Sequence, residues 1–312
     1  MRIGLALAVF DLAAWRHRRV DEIAEEALWA EAVGFDSIWV SDHFFFTRSN
    51  QRVAGLEPMA LLSYLAAKTR SMTLGAMVLC NNFRPIGQLA REVATLMDAS
   101  RGQVILGMGC GSQDIEHRAF GLPYDRRVTR LDESLTVLPR LLAGERVTFS
   151  GSLVNLEDAS VTTAGQVPPI WLAAFGPRMI EIAARRGQGW AGNWNGPDVE
   201  GFRQEAATVR AVVDRHSKSN AGFDIVVNML AVPTERASSQ VARAIEQVLP
   251  GGPAEGRIAI GSGDELGDIL NAYQEAGATY AVVAPSPRQF SYFPETDRDQ
   301  LARLVRVAKA LE

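Results

Sequence analysis

Short apolar runs alternate with amphipathic helical patterns along almost the whole chain of 312 residues. The runs typical of buried strands cover residues 3–9, 37–40, 72–79, 103–109, 170–174, 189–193, 224–232 and 280–284. The patterns that predict helices cover residues 20–33, 58–69, 86–98, 127–143, 177–186, 199–215, 238–249, 265–275 and 298–311. Strands linked by helical crossovers form a parallel sheet that is covered on both faces. Because eight such strands close a barrel, the sequence predicts the α/β class and a (β/α)8 TIM barrel.

An open, doubly wound sheet is the alternative architecture. It predicts a G-x-G-x-x-G fingerprint after the first strand, and the segment AVFDLAAW at that place has none. Residues 147–163 depart from the alternation and are typical of an antiparallel insertion. A chain of this length can form one α/β barrel, so we predict a single domain over residues 1–312.

Composition and charge exclude several classes of function. The 32 basic and 36 acidic residues leave a net charge of −4, whereas nucleic-acid-binding proteins usually carry a basic surplus. Two cysteines exclude a disulfide framework and fit a reducing, cytoplasmic compartment. No apolar run approaches the roughly 18 residues of a membrane span, and no histidine pair has zinc-ligand spacing. We therefore expect a cytoplasmic protein without a metal, membrane or nucleic-acid partner.

The most informative polar pair is Asp42 and His43, directly after the predicted strand 37–40. Active sites of TIM barrels lie at the carboxyl ends of the strands, so both side chains are predicted to reach the barrel mouth. A histidine there can act as an acid, a base or a hydrogen-bond donor near neutral pH. The alternative is a helix-capping aspartate beside a packed histidine.

Two glycine-containing segments follow later strands at the same end of the predicted barrel. The segment GMGCGS, residues 107–112, has small residues that would let a flat ring approach the backbone. The segment FGPRM, residues 175–179, precedes a helix whose free N–H groups could bind a phosphate. The alternative for the first segment is a tight turn without a ligand, and the alternative for the second is an ordinary helix that starts at a proline. Cys80 and Cys110 are interpreted as small core thiols rather than nucleophiles.

The segments IWVSDHFF, LEPMALLSYLAAKTRSMTLGAMV, ATLMDASRGQVILGMGCG and PIWLAAFGP resemble the bacterial-luciferase-like superfamily, and within it the branch that uses coenzyme F420, a deazaflavin. The resemblance covers nearly the whole chain. It implies a TIM barrel with insertions, a deazaflavin ring in the barrel mouth and a homodimer. It also implies a strand-3 bulge with a cis peptide bond between Met77 and Val78.

The resemblance also implies the site residues. Asp42 and His43 are the predicted catalytic pair, with Asp42 fixing the ring or the imidazole. The predicted cofactor-binding residues are Asp42, Met77, Val78, Cys80, Gly109, Cys110, Gly111, Ser112, Ile115, Phe175, Gly176, Pro177, Met179 and Ile180. The predicted substrate pocket is aromatic and consists of Phe10, Phe44, Phe45, Trp171 and Trp194.

One residue departs from the sugar-phosphate dehydrogenases of this branch, which have a catalytic glutamate where Ser112 stands. The nearest acids here are Asp114 and Glu116. We therefore predict an F420-dependent oxidoreductase, and more specifically a reductase of another small organic substrate, such as an imine, enone or pterin-like group. The alternatives are an FMN-dependent monooxygenase that uses a separately reduced flavin and O2, and a catalytically silent paralogue.

Overall fold

Eight parallel strands close into a barrel, which confirms the predicted TIM-barrel fold. The computed structural model describes residues 1–48, 51–216, 222–249 and 256–310. The barrel strands are β1 (Arg2–Ala6), β2 (Ser37–Val40), β3 (Thr73–Ala76), β4 (Val104–Gly109), β5 (Ile170–Ala173), β6 (Gly189–Asn195), β7 (Asp224–Pro233) and β8 (Tyr280–Ala284). Each strand pairs in parallel with the next, and β8 pairs with β1 to close the sheet.

The α-helices surround the barrel, and all of those in the described residues except the short one at Asp114–Ala119 begin and end close to a predicted range. They are α1 (Val20–Val33), α2 (Pro58–Lys68), α3 (Ile86–Ala99), α4 (Asp114–Ala119), α5 (Arg127–Leu142), α6 (Pro177–Arg186), α7 (Val199–Arg215), α8 (Ser238–Val248), α9 (Gly263–Glu275) and α10 (Arg298–Lys309). Helix α1 stops at Gly34, whose φ of 98° is costly for a residue with a side chain. Within the described ranges, none of the helices has the length and apolarity needed to cross a membrane.

Three large aromatic side chains fill the amino-terminal end of the barrel. Trp171 stacks on Trp39 with ring centroids 5.0 Å apart, and Tyr280 contacts Trp171 edge-on at 4.7 Å. The indole N–H of Trp171 donates to Asp224, the first residue of β7, at 3.2 Å. Trp171 is fully buried at this closed end, so it does not reach the barrel mouth where the substrate pocket was predicted.

Several short elements lie outside the main alternation. The predicted insertion is an antiparallel pair, Val147–Ser150 with Asn155–Ala159. A hairpin of Phe45–Arg48 and Gln51–Ala54 follows β2, and a short strand at Ala259–Gly261, which the sequence patterns did not indicate, pairs with β7. The predicted strand 72–79 is interrupted by a cis peptide bond between Met77 and Val78, which confirms that prediction.

Phe10 belongs to a small three-stranded sheet formed by Phe10–Asp11, Arg16–His17 and Ser291–Tyr292. Its ring stacks on Phe46 of the hairpin at 5.0 Å and is fully buried. Because Phe10 packs between this small sheet and the hairpin, its side chain does not line the predicted pocket.

Candidate active site

A cavity of about 290 Å³ lies at the carboxyl ends of the barrel strands. Eleven residues predicted from the sequence line it: Asp42, His43, Met77, Val78, Cys80, Gly109, Cys110, Gly111, Ser112, Phe175 and Trp194. The other lining residues are Phe83, Glu116, Ala173, Ala191, Gly192, Asn193, Asn228, Gln289 and Phe290. The wall combines small and apolar residues with a few polar groups, as in sites for small molecules and cofactors.

His43 is held by Glu116 of α4, which the sequence analysis noted only as a nearby acid. The His43 Nδ1 lies 3.0 Å from the Glu116 carboxylate, which also accepts the backbone N–H of Phe44 at 2.8 Å. Glu116 is only 1% exposed, so these donors offset the cost of burying its charge. Because a carboxylate only accepts hydrogen bonds, Nδ1 carries the proton, and Nε2, which bonds to no residue in the described ranges, can exchange one with a ligand.

Asp42 forms a salt bridge with Arg84, a residue that the sequence patterns did not indicate. The guanidinium donates to both carboxylate oxygens of Asp42, at 2.8 and 3.0 Å, and the backbone N–H of Cys80 donates at 2.8 Å. Burial acts to lower the pKa of Arg84, but hydrogen bonds and charge from Asp42 raise it overall. The imidazole is thus fixed by Glu116, and Asp42 anchors the ends of β2 and β3 to each other.

The segment after β4 forms a narrow wall of the cavity. The Arg127 Nε donates to the Gly111 carbonyl at 3.0 Å, and the Tyr124 hydroxyl donates to the Ser112 carbonyl at 3.1 Å. Gly111 has a φ of 77°, and a Cβ there would lie 2.6 Å from the Cys80 sulfur. A glycine at this position therefore allows the backbone to pack closely against the Cys80 side chain.

The two cysteines of the cavity are expected to differ in reactivity. Burial raises the pKa of the Cys80 thiol to about 12, although the His117 Nε2 lies 3.8 Å from its sulfur. Because the thiolate is the reactive form, we expect iodoacetamide at pH 8 to label the half-buried Cys110 well before Cys80. Mass spectrometry of peptides after timed quenching measures both rates. Unfolded protein is the control in which both react, and equal labelling in the folded protein would contradict the assignment.

The segment after β5 brings the start of α6 beside the cavity. Phe175 lines the cavity and is 53% exposed, and Gly176 precedes the helix with a φ of 76°. No side chain among the described residues caps this helix start, so its first N–H groups are available to a ligand. Met179 packs into the core, and its side chain is not part of the wall.

Some predicted site residues therefore lie near the cavity without lining it, namely Ile115, Gly176, Pro177, Met179 and Ile180. Phe44 and Phe45 also lie outside its wall. The Phe44 ring packs between Phe120 and Phe83, with centroids 4.0 and 4.4 Å away. Phe44 instead lines a second cavity of about 440 Å³ on the other side of Asp42 and His43. Of the predicted aromatic pocket, Trp194 alone is part of the main cavity wall.

Comparisons with known proteins identify the family of the chain. Residues 1–291 match the family model described as luciferase-like monooxygenase. An F420-dependent glucose-6-phosphate dehydrogenase of Kineococcus radiotolerans is 38% identical over 176 residues, which cover 54% of this chain and 51% of the relative. A 5,10-methylenetetrahydromethanopterin reductase of Methanolobus tindarius is 32% identical over 168 residues, 54% of this chain and 48% of the relative. The chain thus spans about half the length of these curated relatives.

A solved structure extends the similarity over the whole fold. An F420-dependent secondary alcohol dehydrogenase, in complex with an F420-acetone adduct, superposes with a TM-score of 0.79 over 99% of both chains. The sequence identity is 18%, so this likeness concerns the fold alone.

Proposed function

Because the chain belongs to the luciferase-like monooxygenase family, we propose that it is a coenzyme F420-dependent oxidoreductase. It would move a hydride between the deazaflavin and a small organic substrate. The observation that carries this proposal is the His43–Glu116 pair, 3.0 Å apart, on the wall of a largely apolar cavity at the barrel mouth. The curated relatives named for F420 or for methylenetetrahydromethanopterin reduction support the same chemistry.

The residues of the cavity fit a flat deazaflavin ring. Gly109, Gly111 and Gly192 leave parts of the wall without side chains, and the Asn228 Oδ1 at the wall has no hydrogen-bond partner among the described residues. The uncapped start of α6 suits the phosphate of F420. We propose that the segments 77–80 and 109–112 hold the ring and that Gly176 and Pro177 place the phosphate.

When bound, the deazaflavin supplies hydride exchange, and the protein orients the reactants and handles the proton. Glu116 keeps the His43 Nδ1 protonated, so the His43 Nε2 is the atom that gives a proton to the substrate or takes one from it. Asp42, tied to Arg84 and to the Cys80 N–H, keeps the loop that carries His43 in place.

The site supports a substrate other than a sugar phosphate. Ser112 lines the cavity at the position where the sugar-phosphate dehydrogenases of this branch have a glutamate, and the lining carboxylates Glu116 and Asp42 are already hydrogen-bonded. Asp114 is half-exposed and pairs with Arg118 at 3.0 Å. We therefore propose reduction of an imine, enone or pterin-like group.

The homodimer implied by the resemblance stays a prediction.

The cofactor choice leads to a test. F420 carries a phosphate and a lactyl-oligoglutamate tail, whereas FMN ends at its phosphate. Arg178 stands at the start of α6, donates to Thr129 at 2.8 Å and forms no ion pair with the carboxylates that the structure describes. We expect tighter binding of F420 than of FMN in fluorescence titrations, and a loss of F420 affinity as salt rises because exposed ion pairs are screened.

The matched variant for this test is Arg178→Gln. It should weaken F420 binding and leave FMN binding unchanged, because only F420 has tail carboxylates for the guanidinium to meet. Tighter binding of FMN than of F420 at every salt concentration would contradict the proposal. It would favour an FMN-dependent monooxygenase that receives reduced flavin from another protein. Binding of neither cofactor would favour a catalytically silent paralogue.

A further inference from the structure

Asn228 is a buried amide on β7, at the wall of the main cavity. It is 2% exposed, and its Nδ2 donates to the Gly192 carbonyl of β6 at 2.8 Å. A carbonyl oxygen only accepts hydrogen bonds, so this contact determines which end of the amide is nitrogen and which is oxygen. The Oδ1 therefore points away from Gly192, and no donor in the described part of the chain reaches it.

An amide oxygen left without a donor is unfavourable in a buried place. The neighbours of Asn228 in strand register are Trp194 on β6 and Val282 on β8, and neither donates to it. A buried acceptor that is held in one orientation at a ligand cavity is a ready partner for a ligand donor. It also adds specificity, because a ligand without that donor would leave the oxygen unpaired.

We propose that the Asn228 Oδ1 accepts a hydrogen bond from the imide N–H of the cofactor ring. This inference rests on the proposed function, because it takes the ligand of the cavity to be a deazaflavin. Among the proposed substrates an enone has no N–H or O–H donor and a pterin-like group has one, whereas the pyrimidine part of the cofactor ring carries its imide N–H whichever substrate is bound. Asn228 is then a cofactor-binding residue, on the barrel wall formed by β6 and β7.

The test is a thermodynamic cycle that combines a change of the Asn228 side chain with a change of the imide nitrogen of the ligand. Wild-type protein and the Asn228→Leu variant are titrated by fluorescence with the deazaflavin chromophore and with its N3-methyl derivative. Leucine has a similar volume but no acceptor, and the methyl group removes the donor. We expect each single change to raise Kd roughly 10- to 100-fold. The steric cost of the methyl group is the same in both proteins. Methylation should therefore raise Kd less in Asn228→Leu than in wild type, because the hydrogen bond is already absent from the variant.

Two further variants separate binding from folding. Asn228→Gln keeps an amide that can donate to the Gly192 carbonyl and accept from the ring, so it should retain more affinity for the unmethylated ring than Asn228→Leu. It also keeps the test open where Asn228→Leu fails to fold. Asn271→Leu is the matched control, because Asn271 also has an unpaired buried Oδ1 but lies on α9, outside the cavity. It should leave Kd unchanged.

Different results would contradict the role of Asn228 and the proposed cofactor. Equal ring affinity in wild type and Asn228→Leu, or independent effects of the two changes, would overturn the role of Asn228. Binding of FMN but not of deazaflavin to wild type would overturn the proposed cofactor. The same cycle with FMN and N3-methyl FMN would then decide the role of Asn228, because both rings carry the imide. A protein that binds neither ring overturns both.

Discussion

Replacing His43 by alanine is expected to lower kcat by a factor of about 10²–10⁴, the usual loss when one acid–base group is removed. The imidazole Nε2 is the free atom of the His43–Glu116 pair, and the cavity holds no second histidine with this geometry among its lining residues. Cofactor affinity should change little, because the ring is proposed to rest on the segments 77–80 and 109–112. The measurement is the absorbance change at 420 nm at saturating F420, together with Kd from fluorescence.

Glu116→Gln tests how His43 is held. The amide oxygen can still accept a hydrogen bond from the Nδ1–H, but the negative charge beside the imidazole is lost, so kcat should fall by less than in His43→Ala. His17→Ala is the matched control, because this exposed histidine lies in a short strand outside the cavity. Turnover of His43→Ala equal to wild type at saturating cofactor would refute the assignment.

The fold was predictable from the sequence because local patterns determine it. Alternating apolar strands and amphipathic helices leave few arrangements that bury every apolar face, and the parallel barrel is one of them. The pattern did not indicate Ala259–Gly261, a three-residue strand that pairs with the carboxyl-terminal end of β7. So short a segment carries no periodicity, and its pairing depends on long-range contacts.

The site was predictable only in part, for a related reason. Asp42 and His43 follow a strand, and the barrel rule places them at the mouth. Their partners cannot be found by that rule, because Glu116 lies 73 residues beyond His43 and Arg84 lies 42 residues beyond Asp42. Trp171 shows the converse error: aromatic character suggested the pocket, but its place as the second residue of β5 puts it at the opposite end of the barrel.

Replacing Arg84 by methionine is expected to lower the free energy of unfolding by about 3–5 kcal/mol, the typical loss when one partner of a buried ion pair is removed. The Arg84 side chain is 8% exposed and meets Asp42 at 2.8 Å, Glu57 at 3.2 Å and Glu92 at 3.6 Å. Methionine fills similar space but leaves the buried Asp42 carboxylate with the Cys80 N–H alone. Guanidinium denaturation followed by circular dichroism measures the loss.

Two companion variants show whether the uncompensated charge is the cause. Arg84→Met combined with Asp42→Asn removes that charge while the amide oxygen still accepts the Cys80 N–H, so the double variant should be more stable than Arg84→Met alone. Arg146→Met removes an arginine whose pair with Asp158 is exposed, and solvent screening leaves such pairs with little effect on stability. If Arg84→Met costs no more than Arg146→Met, the Asp42–Arg84 pair does not stabilise the barrel mouth. The ends of β2 and β3 must then be held by apolar packing, and His43 would owe its position to Glu116 alone.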